Sequence, residues 1–225
     1  VSVVSGVIFD VDGVLVDSYV AHFESWKQLG ERHGFGQTEE QFARTFGRTS
    51  HEILADLGLG LTNDEMTRLS DEKEAIFRAI ISTGFPVMPG AVPLIDSLAE
   101  DGFRLAVGSS GPPENVALTL AELGRGSLFR AAVTGADVTR GKPDPEVFLR
   151  AAERLELPPE SCAVIEDAAP GISAAKRAGM AAIGLVSRGR TSQELAAADH
   201  VVHHLAELTP SSIRSLITHI SARAD

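Results

Sequence analysis

Val7-Ile8-Phe9-Asp10-Val11-Asp12-Gly13-Val14-Leu15 is the stretch on which the reading of this chain turns: an apolar run that breaks off at two carboxylates one residue apart, with a glycine directly after them. If Asp10 lies on the last pleat of a strand, Asp10 and Asp12 begin on the same side, and Gly13 lets the chain turn sharply beneath a ligand. Two carboxylates held at a strand mouth repel each other unless a cation joins them or one keeps its proton, and both arrangements suit phosphate chemistry. Taken alone, Asp-x-Asp-Gly is also the composition of a solvated turn. A calcium loop of the EF-hand type would need a further ligand series and a distal Glu, which do not follow here.

Working outward, short β-rich runs alternate with longer helical patterns, the signature of βαβ units feeding a parallel sheet. Strands are expected over Val3–Phe9, Phe103–Val107, Ala131–Thr134, Cys162–Ile165 and Ala181–Val186. They are continuously apolar, so both faces of the sheet should be covered by helices, with the working cleft at the carboxyl ends where the strand order reverses. Between the first two runs lies a stretch too long for one crossover and without a strand pattern. Its helices are expected over Tyr19–His33, Glu39–Phe46, Ser50–Leu57 and Asn63–Thr83, with Gly34, Gly47 and Gly58-Leu59-Gly60 as stops. Met88-Pro89-Gly90 suits the turn back, ahead of a helix starting near Ala91, and a last helix is expected near Ser211–Ala222. The fold class is therefore α/β: a doubly wound, Rossmann-like parallel-sheet core built from residues 1–16 and 86–225, with an all-helical domain, 17–85, inserted into it.

The chain has 225 residues, 44% of them hydrophobic, enough for a sizeable core. Its formal charge of -11 repels polyanions, which argues against nucleic acid or an anionic membrane as partner. There is no basic patch leading into an apolar segment and cleavage site, and no apolar run of bilayer length, so a soluble, cytoplasmic protein is expected. The single cysteine, Cys162, sits in an apolar run and reads as a small core residue. Nothing in the sequence prescribes an oligomeric state.

Three further segments fall at the ends of later strands. Gly108-Ser109-Ser110-Gly111 offers hydroxyls and backbone N–H groups for phosphate oxygens beside the next helix, though an ordinary turn has the same composition. In Gly141-Lys142-Pro143-Asp144-Pro145 two prolines fix the approach of one lysine ahead of a helix. Glu166-Asp167 is a second acidic pair at a strand end, followed by a helix from about Pro170; an N-capping carboxylate is the alternative.

An Asp-x-Asp strand end, a Ser strand end, a Lys and an acidic pair, in this order, strongly resemble the four motifs of the haloacid dehalogenase superfamily. The resemblance covers nearly the whole chain. The helical insert after the first motif, with Gly141-Lys142-Pro143-Asp144-Pro145 and Glu166-Asp167, is similar to the β-phosphoglucomutase-like and phosphoglycolate-phosphatase-like group. The resemblance implies a nucleophilic Asp10 that becomes an aspartyl-phosphate, and Asp12 as general acid and base. It implies Mg²⁺ held by the Asp10 side chain, the Asp12 backbone carbonyl and Asp167, with Glu166 as direct or water-mediated support. Ser109, Ser110 and Lys142 would hold the phosphoryl oxygens.

The helical insert would then be a cap that selects the leaving group. Ala21-His22-Phe23-Glu24-Ser25-Trp26 resembles the β-phosphoglucomutases, with His22 a candidate for the site, although His22 and Trp26 could equally be one packing face. Lys73 matches a cap lysine of that group, a surface lysine on an acidic helix being the plainer reading. The sugar-phosphate mutases place an Arg in the cap loop where this chain has Ser50, and Arg48 lies nearby but out of register. A weakened grip on a second phosphate favours release and hydrolysis. The expected function is a Mg²⁺-dependent phosphatase acting on a small phosphorylated metabolite, such as a sugar phosphate. A phosphosugar mutase is the alternative, and a phospho-acceptor module without turnover is the alternative from another class.

Overall fold

A computed structural model of the chain describes residues 4–222. The strand expected from Val3 thus begins outside the described residues; within them it runs Gly6–Phe9 (β1). Four more strands follow close to expectation: Arg104–Gly108 (β2), Phe129–Val133 (β3), Cys162–Glu166 (β4) and Ala181–Leu185 (β5). A sixth, His200–Val202 (β6), has three residues, too few for a periodic pattern to register. The sheet is parallel throughout, in the order β3-β2-β1-β4-β5-β6. β1 is central and wholly buried, whereas edge strand β3 is mostly half-buried, which is why its ends were harder to read.

The chain divides into two compact units, each described by itself. The first, everything up to Asp17 and from Val87 onward, carries the sheet. Successive strand residues point to opposite faces, so Ile8, Ala106, Val164 and Ala182 form one layer. That layer packs on Val147, Phe148 and Ala151 of Glu146–Arg154 (α7) and on Ile172 and Ala175 of Ala169–Arg177 (α8). Ala91–Glu100 (α5) and Pro210–Ser221 (α9) also contact the strands, and Pro113–Glu122 (α6) follows β2. Their Leu94, Ile95, Leu98, Ile213 and Ile217 are buried. Cys162 lies in the core at 0% exposure, and burial pushes its thiol up to about 12, so it is an unreactive core residue.

The second unit, Ser18–Pro86, is helical: Tyr19–His33 (α1), Glu39–Thr45 (α2), Ser50–Asp56 (α3) and Asn63–Ile81 (α4). Three of these starts are fixed by reciprocal capping boxes, Thr38 with Gln41, Thr49 with Glu52 and Thr62 with Glu65. Tyr19, Trp26, Leu29, Phe42, Phe46, Leu54 and Leu69 make its core, with Tyr19 edge-on to Phe42 and Phe46. No helix among the described residues is long and apolar enough to cross a membrane.

Candidate active site

The strand order reverses at β1, whose neighbours are β2 on one side and β4 on the other, and in such sheets the crevice at the carboxyl ends of the strands opens there. Because Phe9 pairs with Ile165, and the Asp10 amide donates to the Ile165 carbonyl at 3.0 Å, Asp10 emerges beside Glu166 and Asp167. Ligand oxygens of these three buried carboxylates lie within 4.8 Å of one another. Lys142 enters from the loop ahead of α7. Its Nζ donates to Asp10 Oδ1 and to Glu166 Oε1, both at 2.7 Å, and to the Gly108 carbonyl at 3.1 Å. It also stands 4.9 Å over the Phe148 ring. The loop that delivers this lysine is anchored by Glu146, whose Oε2 accepts from the Thr139 and Arg140 amides at 3.0 Å each.

Each remaining carboxylate is oriented. Glu166 Oε2 accepts from the Ala168 amide at 2.9 Å, and Asp167 Oδ2 accepts from Ser187 Oγ at 2.7 Å, with Arg190 Nε 3.9 Å away. No side chain caps the start of α8, so the acidic pair is not an N-cap for that helix. Two glycines make room for it. A methyl group on Gly13 would stand 1.9 Å from Asp167 Oδ2, and one on Gly171 would stand 1.8 Å from Glu166 Oε1. Ser109 is buried, its amide donating to Val133 and its Oγ accepting from the Gly111 amide at 3.0 Å; Ser110 follows, half-buried. Asp12 is half-buried in the turn after β1, and a methyl on Gly111 would lie 3.2 Å from Ser109 Oγ and 3.9 Å from Asp12 Oδ2.

The electrostatics call for positive charge. Burial drives the Asp10 carboxyl well above its ordinary range; Lys142 opposes this, while Glu166 and Asp167 reinforce it. Burial likewise carries Asp167 up to about 7 against the attraction of Arg190, with Glu166 adding to the rise. Lys142, which burial alone would push down, is held above its usual value by Asp10 and Glu166. Lys142 and Arg190 together carry fewer charges than the three buried carboxylates, and a donor set of hard carboxylate oxygens without His or Cys fits a divalent cation of the magnesium or calcium type.

The structure thus brings Asp10, Lys142, Glu166 and Asp167 into direct contact or within ligand distance, with Ser109 and Asp12 at the same strand ends. The other candidates belong to the helical unit. There Lys73 Nζ and His22 Nδ1 are 2.5 Å apart, and the His22 ring stacks on Phe77 at 3.8 Å. Reading Lys73 as a surface residue is corrected: it is 2% exposed, its ammonium lying over the Trp26 and Phe77 rings and meeting His22 and Glu74. Arg48 is exposed and pairs with Asp56 at 2.5 Å. Ser50 donates to Glu74 Oε1, the oxygen that also takes Lys73. Ser187 and Arg190 escaped the sequence reading; the one available signal was a hydroxyl residue just past the fifth apolar run.

A family model described as haloacid dehalogenase-like hydrolase matches residues 4–179. The chain is 35% identical to a β-phosphoglucomutase of Bacillus subtilis, over 90% of this chain and 91% of that protein. It is 33% identical to a validoxylamine A 7'-phosphate phosphatase of Streptomyces hygroscopicus, over 89% and 94% respectively. Among solved structures, a β-phosphoglucomutase from Clostridium difficile shares the fold with a TM-score of 0.88 at 24% identity, over 98% of this chain and 100% of that one. A family model spanning most of the chain, relatives above 30% identity along nearly their full lengths and a buried acidic triad at the switch point of the sheet together show that this chain belongs to the haloacid dehalogenase-like hydrolases.

Proposed function

We propose that the protein is a Mg²⁺-dependent phosphatase that hydrolyses a small phosphomonoester, of the sugar-phosphate class, through an aspartyl-phosphate on Asp10. The observation that carries this reading is the buried Asp10 carboxylate, held through Oδ1 by Lys142 Nζ at 2.7 Å and flanked by Glu166 and Asp167. Lys142 keeps one oxygen fixed, so Oδ2 of Asp10 is the attacking atom. It forms a bond to phosphorus as the ester P–O bond breaks, which divides one difficult displacement into two easier ones. Asp12 gives its proton to the departing alkoxide. It then takes a proton from the water whose oxygen attacks phosphorus, the Asp10 carboxylate leaves, and inorganic phosphate is released. Lys142, Ser109 and Ser110 bind the equatorial oxygens during both displacements.

Magnesium, held by the Asp10 side chain, the Asp12 carbonyl and Asp167 with Glu166 in support, supplies when bound the positive charge that a phosphate dianion among carboxylates requires. Substrate selection is assigned to the helical unit, where His22, Lys73 and Arg48 are the candidates.

The relative named a mutase supports a second reading, a phosphosugar mutase. Hydrolysis is favoured by Ser50, which stands where the mutases place an Arg and is bound to the Glu74 carboxylate at 2.5 Å, so position 50 itself offers no cation to a second phosphate. The test is phosphate release from a panel of sugar phosphates, including β-glucose 1-phosphate, with and without Mg²⁺. Release that requires Mg²⁺ and vanishes in Asp10→Asn is the expected result, and Asp12→Ala should accumulate a phospho-enzyme visible by intact mass. Interconversion of glucose 1-phosphate and glucose 6-phosphate without release would replace the phosphatase by the mutase.

A further inference from the structure

Asp167 is fixed by a loop that belongs to none of the four motifs. Register explains how: Ile165 pairs with Ile183 and Glu166 with Gly184, so the chain beyond β5 runs past Asp167 and brings Ser187 and Arg190 alongside it. The Ser187 amide donates to the Leu185 carbonyl and the Val186 amide to Val202, which ties the loop to the sheet at its base. Ser187 Oγ then donates to Asp167 Oδ2 at 2.7 Å, and the backbone of Gly13 packs against the same oxygen so tightly that a methyl there would also approach Ser187 Oγ to 3.1 Å. The hydrogen bond and the close approach of Gly13 together restrict rotation of the carboxylate. Arg190, its side chain only 10% exposed, brings a positive charge to within 3.9 Å of the same Oδ2. The two residues act on Asp167 in opposite senses: a hydrogen bond that orients a ligand raises metal affinity, whereas a resident cation beside the ligand repels an incoming one.

We infer that the loop after β5 sets the affinity of the acidic site for its divalent cation, Ser187 as a positioning residue that orients Asp167 and Arg190 as a resident positive charge that weakens binding. This rests on the reading of Asp10, Glu166 and Asp167 as the metal site. It gives the loop a function: a site of three buried carboxylates would otherwise bind cations strongly whether or not a phosphate is present.

The test is direct metal binding by the full chain after chelator treatment and dialysis, with Mg²⁺ followed by titration calorimetry and Mn²⁺ by electron paramagnetic resonance. Ser187→Ala should raise Kd by about tenfold to a hundredfold, and Ser187→Thr, which keeps the hydroxyl, should stay near wild type. Arg190→Gln should lower Kd by about threefold or more at low ionic strength, an effect that shrinks as salt is added. Arg190→Lys should resemble wild type. Opposite shifts from two residues on one loop are the signature, since a merely structural role would weaken binding in both variants. Parallel weakening, or Kd values equal to wild type while Asp167→Asn loses binding, would overturn the inference and leave the metal site standing. Equal binding by wild type and Asp167→Asn would overturn both.

Discussion

Replacing Lys73 by Met in the helical unit removes a cation from a nearly closed environment while keeping the length of the side chain. Lys73 is 2% exposed, donates to Glu74 Oε1 at 3.0 Å, and lies 5.6 Å and 5.4 Å over the rings of Trp26 and Phe77. Burial alone would push the Glu74 carboxyl up, but Lys73, His22 and the Ser50 hydroxyl together bring it down to about 2, against 4.5 for an ordinary glutamate. At about 1.4 kcal/mol per pH unit, that depression corresponds to about 3 kcal/mol of stability. Removing one partner of a buried pair costs about 3–5 kcal/mol, in the same range. Since the folded pKa lies below the unfolded one, this contribution is complete above pH 4.5 and disappears as the pH falls towards 2.

The assay is urea unfolding followed by fluorescence. Trp26, the one tryptophan in the sequence, is buried in the helical core and reports on this unit. At pH 7, Lys73→Met should lose about 3 kcal/mol. The acid-induced loss between pH 4.5 and 2 should be steeper in wild type than in Glu74→Gln, which has no carboxyl to protonate there. A loss below about 1 kcal/mol in Lys73→Met, together with identical acid profiles for wild type and Glu74→Gln, would refute the reasoning.

Gly13→Ala should cost about 1–2 kcal/mol for its backbone at φ 77°, and should abolish Mg²⁺ binding in calorimetry because the methyl would meet Asp167 Oδ2; undiminished binding would place Asp167 outside the metal site. Glu146→Gln removes the charge that anchors the Thr139 and Arg140 amides and pairs with Arg150. It should speed hydrogen exchange of those two amides and slow phosphate release by loosening the loop that carries Lys142, whereas unchanged exchange would mean the two prolines suffice.

Much of this architecture was legible because its signals are local. Continuous apolar runs marked β1, β2, β4 and β5, since a strand covered on both faces needs no polar alternation. The start of α1 at Tyr19 and its end at His33 agree with the sequence reading, and the polar clusters after the strands stood out because a parallel sheet collects its loops at one edge. β6, by contrast, has three residues, and a run that short carries no period.

By itself, then, the sequence determined which residues could carry chemistry and at which strand ends they emerge, because backbone preference and hydrophobic period are properties of neighbours along the chain. Only the tertiary structure decided who meets whom. Lys142 reaches Asp10 across 132 residues because β3, β2 and β1 are neighbours in the sheet and α7, which follows the lysine's loop, packs across all three. The burial of Lys73, a charged residue on a helix rich in acids, follows from packing against α1, and the attachment of Ser187 and Arg190 to Asp167 follows from the register between β4 and β5. Strand order, register and helix packing are set by the free energy of the assembled core as a whole, which no short window of sequence contains.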